Sequence, residues 1–569
     1  MDTQLEMQPD AQAPRPVADG DADVQRPVPA DAGGVFGGRG RVSADTGYIL
    51  AMVGLLIIPL IAMTAFAVDV GAWYAQGQRM QRAADSAALA GVVWASDPID
   101  LNKWNTVARE AATRNGYTNG VGGVTVNVEK INRAQIRVTI SQDGRQYFSR
   151  LLLSGQRLTR SATAQFVEPV PLGSPRNYFG TGGLGTSTNS TSVYAPERLW
   201  AAVSGQCTDK VQGDRIAARY ANGPNANGTS DNGCTGTLNT EYRTTNYEYY
   251  IDLPLTRSYA TDVIVYHGNF MTRDDGSCRA GYLPAPQPNE FCPGGLASQP
   301  AMSTTFTLYQ SDSTPLDDSD NPTMASVGGC VSGTGTGTRT FGPRRVSDGL
   351  ESNFTFNPSS QFRNVTGWVR LCRIPSSAPG GKYILRVRNQ ATTSGTATNN
   401  NGSNAFSLVA TPASPQRLCD ARTDATCPRV YAKDYMSVYA LADGAANFFL
   451  AEIGREHAGK KVQIQLWDAA EGAQELRIQR PTGTNTWTDQ AFNWSSTCAG
   501  CSGTNVTAIN VAGFDFNNRL ITIEIQLPVT YNPPTDNAWW RIYYRYGSNA
   551  TDRTTWSVNI LGDPVHLVE

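Results

Sequence analysis

The sequence predicts a multidomain, membrane-anchored chain. It should comprise a single transmembrane helix with a helical extension, a small α/β unit, then all-β tandem sandwich-like domains braced by disulfides. Three observations predict it. Twenty-two uncharged, mostly apolar residues run from Gly47 to Val68, and the chain has no second stretch like them. At about 1.5 Å per residue such a helix is roughly 33 Å long, enough to cross a hydrocarbon core of about 30 Å. All ten cysteines lie after that stretch. Beyond about residue 197 the pattern is short alternating strands broken by Gly, Asn, Pro and Ser, in a chain with 55 Gly, 32 Pro and only 17% charged residues.

Residues 1–46 are rich in Pro, Ala, Gly and Asp with little to bury, which predicts a disordered cytosolic tail. Seven acids against Arg15 and Arg26 make residues 1–38 acidic and leave the remainder weakly basic, too weak a field to steer nucleic acid. Pro59 sits near the middle of the 47–68 span, where a kink is tolerable. Ala65-Phe66-Ala67 has the form of a signal-peptide cleavage site, but the long apolar run and its 46-residue leader favour an uncleaved anchor. Residues 69–95 continue the span as a helical stalk. Val70, Trp73, Gly77, Met80, Ala84, Ala87, Gly91 and Trp94 fall at alternating three- and four-residue spacing, a seam of residues small in the middle and aromatic at the ends. Small residues let a partner approach closely, so the seam suits helix pairing with other membrane subunits. It equally suits packing on the protein's own next domain.

The small α/β unit covers 96–168. A helix is predicted over 100–114, ended by Asn115-Gly116, then strands at 124–128 and 135–140, a helical 146–153, and a strand near 161–167. Residues 169–196, rich in Gly, Thr and Ser, read as a flexible linker. Two β-sandwich-like domains follow, 197–412 and 413–569. Between them runs a weak internal repeat. Residues 247–266 resemble 447–467, and 383–388 with 406–409 resemble 540–545 with 556–559, in the same order. An even number of cysteines on one side of a span reads as disulfides of an oxidising compartment, drawn from Cys207, Cys234, Cys278, Cys292, Cys330, Cys372, Cys419, Cys427, Cys498 and Cys501. Spacing leaves the connectivity open; neighbour pairing would give five loops, each inside one module. The body is then extracytoplasmic and the amino terminus cytoplasmic, an orientation that the flanking arginines alone do not decide.

Few motifs suggest chemistry. Gly180-x-Gly182-x-x-Gly185 fits a dinucleotide fingerprint but opens onto Ser, Thr and Asn rather than a helix. Gly454-x-x-x-x-Gly459-Lys460 lacks the hydroxyl residue of a P-loop and joins two predicted strands, so it reads as a turn. His267, His457 and His566 have no metal-ligand neighbours at useful spacing, and Cys498-x-x-Cys501 reads as a hairpin clasp. Asp312, Asp317, Asp318 and Asp320 form an acidic loop, better read as solvated than as a Ca²⁺ site. No catalytic site, metal or cofactor is expected. In the strand 539–546, Trp539, Arg541, Tyr543 and Arg545 share one face, which could stack on a sugar or grip a protein.

The segment Ala67-Val68-Asp69-Val70-Gly71, then Trp73-Tyr74, then the run from Gln78 to Gly91 (QRMQRAADSAALAG) resembles the amino-terminal region of TadE/TadG-like Flp pilus-assembly proteins. The α/β unit to about Val167 fits that family too. The resemblance implies a membrane component of a Tad pilus or secretion system, anchored amino-terminally with its body outside. Many relatives carry a von Willebrand factor A domain with an Asp-x-Ser-x-Ser metal site, and this sequence has no such motif. The function expected is therefore a non-enzymatic assembly component whose partners are the lipid bilayer and other subunits of the apparatus. The alternative is a surface adhesin or carbohydrate-binding protein on a generic anchor.

Overall fold

The computed structural model describes residues 45–568 except 97–101, 133, 149–154, 181–197, 206–207, 221–236, 243–246, 268–270, 273–301, 313, 315–316, 342–343, 346–367, 392–402, 443–444, 470–472, 512–515, 547–549 and 563–564. The expectations for the tail to residue 44, for the linker beyond 180, and for Cys207, Cys234, Cys278 and Cys292 lie outside the described residues.

The first helix, α1 (Asp45–Val92), contains the apolar run and continues without a break through the stalk. Within the run, Pro59 removes one backbone donor, and Thr64 returns its hydroxyl to the carbonyls of Leu60 and Ile61. Residues 51–68 are exposed apart from the half-covered Ala65. A helix this long and apolar can cross a membrane.

From Asp69 onward the chain is a body of its own. Its first layer is helical: the stalk half of α1 and α2 (Lys103–Arg114), which stops where Gly116 takes a φ of +87°. Both pack on an antiparallel sheet of β1 (Thr125–Asn132), β2 (Gln135–Asp143) and β3 (Arg157–Phe166). The alternation Val124/Val126/Val128 and Ile136/Val138/Ile140 puts one face of β1 and β2 into this core. Residues 147–148 form a bend, and 146–148 do not start the predicted helix, whose remainder lies outside the described residues.

After β4 (Leu172–Gly173), and leaving aside five two-residue strands, eight strands in chain order form a first set. They are β5 (Arg198–Ser204), β6 (Tyr247–Leu253), β7 (Thr261–His267), β8 (Met302–Tyr309), β9 (Thr338–Phe341), β10 (Trp368–Ile374), β11 (Gly381–Ala391) and β12 (Ser403–Pro412). The short β13 (Arg429–Ala432) leads to a second set, of which eight strands correspond to the first; Phe492–Ser495, Ser502–Val506 and Ile509–Asn510 lie between its fifth and sixth members. The eight are β14 (Met436–Ala442), β15 (Ala445–Glu452), β16 (Lys461–Trp467), β17 (Ala473–Gly483), β18 (Thr486–Asp489), β19 (Leu520–Gln526), β20 (Trp539–Tyr546) and β21 (Ala550–Leu561). The first set pairs as β10-β7-β12-β5 and β9-β8-β11-β6; the second pairs as β19-β16-β21-β14 and β18-β17-β20-β15. For these eight strands the two orders are the same, and the second set adds Phe492–Ser495 and Ser502–Val506 beyond β19. The segments whose likeness is visible in the sequence (β6–β7 with β15–β16, and β11–β12 with β20–β21) hold equivalent places.

The two sets are fused rather than strung as separate sandwiches. In one sheet β5 pairs directly with its equivalent β14, antiparallel, with Trp200 opposite Tyr439. In the other, β13 and β4 bridge β6 to β15. One apolar core runs through both sets, from Tyr249, Val265 and Phe406 to Ile464, Trp540 and Ile542. Meeting through equivalent edges is the geometry of a two-fold dimer contact, here made within one chain, and it removes two exposed sheet edges.

Two boundaries differ from expectation. Residues 169–180 of the expected linker are built into the body: Leu172 is a strand residue inside a sheet, and Val170, Asn177 and Phe179 are buried. The last strand, β22 (Val565–Val568), leaves the second β set and pairs with β3, Phe166 opposite Val565. The α/β unit is thus completed by the far end of the chain, because β3 otherwise presents an open edge.

Candidate functional site

Asp69 is the first charged residue after the apolar run, and it is fully buried. Its two carboxylate oxygens accept the backbone N–H groups of Tyr147 (2.8 Å) and Phe148 (3.0 Å). One turn on, Trp73 donates its indole N–H to the carbonyl of Arg145 at 2.8 Å. Gln76 accepts from the Arg145 N–H at 3.0 Å and donates to Gln142 and to the carbonyl of Asp143. A Cβ on Gly144 would lie 2.8 Å from the Trp73 ring, so only glycine lets the loop come this close. One helical face therefore clamps the segment 142–148, which follows β2. Sequence reasoning missed this clamp. The available signal was an acid placed immediately after a membrane-length apolar run, where an unpartnered carboxylate is costly.

Farther along α1 the small-residue seam meets the sheet and α2. Met80, Ala84 and Ala87 are fully buried among Ala108, Ala112, Val126, Ile136 and Val138. Gly91 is closer still: a Cβ there would lie 2.7 Å from Ile136 and 2.8 Å from Ala108 and from the Trp104 carbonyl. At Gly77 the neighbour is the Arg160 guanidinium. This corrects the expectation that Met80, Ala84, Ala87 and Gly91 pair with other membrane subunits. Small side chains at three-four spacing admit a sheet as closely as a helix, and the protein's own sheet occupies them. Val70 and Tyr74 remain exposed, and Trp73 is half-buried.

The strand face formed by Trp539, Arg541, Tyr543 and Arg545 turns away from the main core, while Trp540, Ile542 and Tyr544 enter it. It is not an open aromatic platform. Trp539 is 1% exposed, packed on Phe449 and Tyr431, with Trp487 donating its indole N–H to the Trp539 carbonyl. Arg541 stacks 3.7 Å over Trp487 and donates to Gln479; Arg545 pairs with Glu475; Arg477 lies over Tyr543 and bridges Glu475 and Asp489. Of the candidate binding face Trp539, Arg541, Tyr543 and Arg545, Trp539 thus offers no open ring for stacking, because neighbouring rings cover it. The same outer face continues across β13 and β6, where Arg429 bridges Asp252 and Glu452 at 2.8 Å each. Lys433 lies between Glu248 and Asp318; burial opposes its charge, but the two carboxylates outweigh it and raise the ammonium's pKa. A groove of about 370 Å³ beside Trp539 is lined by Arg429, Asp252 and Glu452, with Arg422 and Asp536. Its arginines are paired: Arg429 as above, and Arg422 with Asp420.

The other motifs resolve structurally. Cys330–Cys372, Cys419–Cys427 and Cys498–Cys501 are disulfides, each joining sequence neighbours. Gly454–Lys460 is a short helical turn between β15 and β16. In the acidic loop Asp318 takes Lys433 and Tyr250, while Asp312 and Asp317 take the hydroxyls of Thr314 and Ser319. Among the described residues no His, Cys, Asp and Glu cluster is arranged to hold a metal.

No curated protein matches the chain significantly. Residues 47–97, the apolar run and the stalk together, match the Tad family, whose description is "Putative Flp pilus-assembly TadE/G-like". The membrane-length helix of this chain is thus similar over residues 47–97 to the TadE/G-like Flp pilus-assembly family, and it precedes a disulfide-containing β body.

Proposed function

We propose that the protein is a non-enzymatic, single-pass membrane component of a Tad/Flp-type pilus or secretion system. Its amino terminus would be cytoplasmic and its β body extracytoplasmic, positioned for interaction. The observation that carries the proposal is the family match over 47–97, on a helix whose apolar residues 51–68 face outward. The three disulfides among the described residues support the orientation, since such bonds persist in oxidising compartments. Contacts with other membrane subunits would fall to the apolar run and to Val70 and Tyr74, since Gly77, Met80, Ala84, Ala87 and Gly91 are buried. The adhesin alternative loses its best support with Trp539 covered.

Deletion of the gene in its native host tests this. Surface fibres counted by electron microscopy should be lost, and should return with the full chain but not with residues 69–569 fused to a cleaved signal peptide. Unchanged fibres in the deletion strain would reject the assignment.

A further inference from the structure

We propose that Tyr147 and Phe148 form a second membrane contact, an interfacial anchor seated in the headgroup region of the bilayer that the apolar run crosses. The inference rests on that run being the membrane span.

Asp69 follows Val68 directly, so on a helix with about 1.5 Å rise per residue it lies at the polar boundary of the bilayer. Its carboxylate holds the backbone of Tyr147 and Phe148 at 2.8 and 3.0 Å, which fixes both residues at that level. The side chains turn outward: Tyr147 is 60% and Phe148 55% exposed, whereas Tyr117 and Phe166 of the same unit are 8% exposed. Two adjacent exposed aromatics are costly in water and favourable at a membrane interface, where amphipathic and aromatic rings collect. Arg145 lies beside them, exposed, its backbone pinned by Trp73 and Gln76; its guanidinium suits lipid phosphate. Because the loop is held before the membrane is met, little ordering entropy remains to oppose insertion. The contact would limit swivelling of the body about a single helix.

The test uses the full chain in phosphatidylcholine/phosphatidylglycerol vesicles, with a photoreactive benzophenone amino acid in place of Phe148, Phe66 or Val529. Phe66 reports the span, and Val529, 85% exposed, is the control on the β body. Mass spectrometry should find lipid adducts at 66 and 148, with at least about fivefold more at 148 than at 529. Adducts at 66 but none above control at 148, or adducts at 148 to protein alone, overturn the inference and leave the anchor assignment standing. Failure at both positions overturns both. In the Asp69→Asn variant the adduct at 148 should fall severalfold with position 66 unchanged; an unchanged yield at 148 would reject the role of the clamp.

Discussion

Arg553 and Asp214 are buried partners 3.3 Å apart, and Ser204 and Tyr247 also bind the carboxylate. Arg553 belongs to the second strand set and Ser204 and Tyr247 to the first, so this polar knot ties the two sets together. Arg553→Met leaves Asp214 buried without its cation and should destabilise the body by about 3–5 kcal/mol, read as a lower denaturant midpoint. Gly91→Ala should cost about 1–3 kcal/mol by overpacking against Ile136 and Ala108, measured the same way. His457 gives a pH-dependent contribution. Burial, with Lys460 nearby, lowers its pKa from 6.5 to about 4. The unfolded chain then binds the extra proton between those values, so this stabilisation is complete above about 6.5 and lost as pH falls toward about 4. Neighbouring Glu456, raised by burial, has the opposite sign. The difference between wild type and His457→Gln should therefore isolate a slope confined to that window, and equal slopes would reject it. At this scale the sequence announced Gly91 by its spacing but not what it touches. Asp214 and Arg553 pair across 339 positions, and no local pattern reports such a contact.

Among the elements, the alternating strands and the helix at 103–114 were legible because their periods are 2 and 3.6 and their burial follows those periods. The weak repeat was legible because equivalent strands need aromatic and β-branched residues at equivalent core positions. What could not be read was partnership: β4 lies in an apparent linker yet sits inside a sheet, and β22 closes a sheet begun some 400 residues earlier. Truncating after Gly562 should uncover the β3 edge. Limited proteolysis is expected to cut the α/β unit faster in that variant while the β core stays intact. Equal cleavage rates would show that β22 contributes nothing.

For the whole molecule, the membrane-length helix and the β-rich body were visible in one apolar run and in composition, while the fusion of two strand sets into continuous sheets was not. The candidate binding face was legible as a face, yet the covering of its Trp539 depends on Trp487 and Phe449, which lie far away in sequence. The central claim is an anchored chain with its β body on the oxidising side of the membrane. Epitope tags at residue 2 and in the exposed turn at Val529 test it in intact spheroplasts treated with proteinase K. The Val529 tag should be removed and the residue 2 tag protected until the membrane is broken. A protected body tag, or loss of the amino-terminal tag from intact spheroplasts, would contradict it.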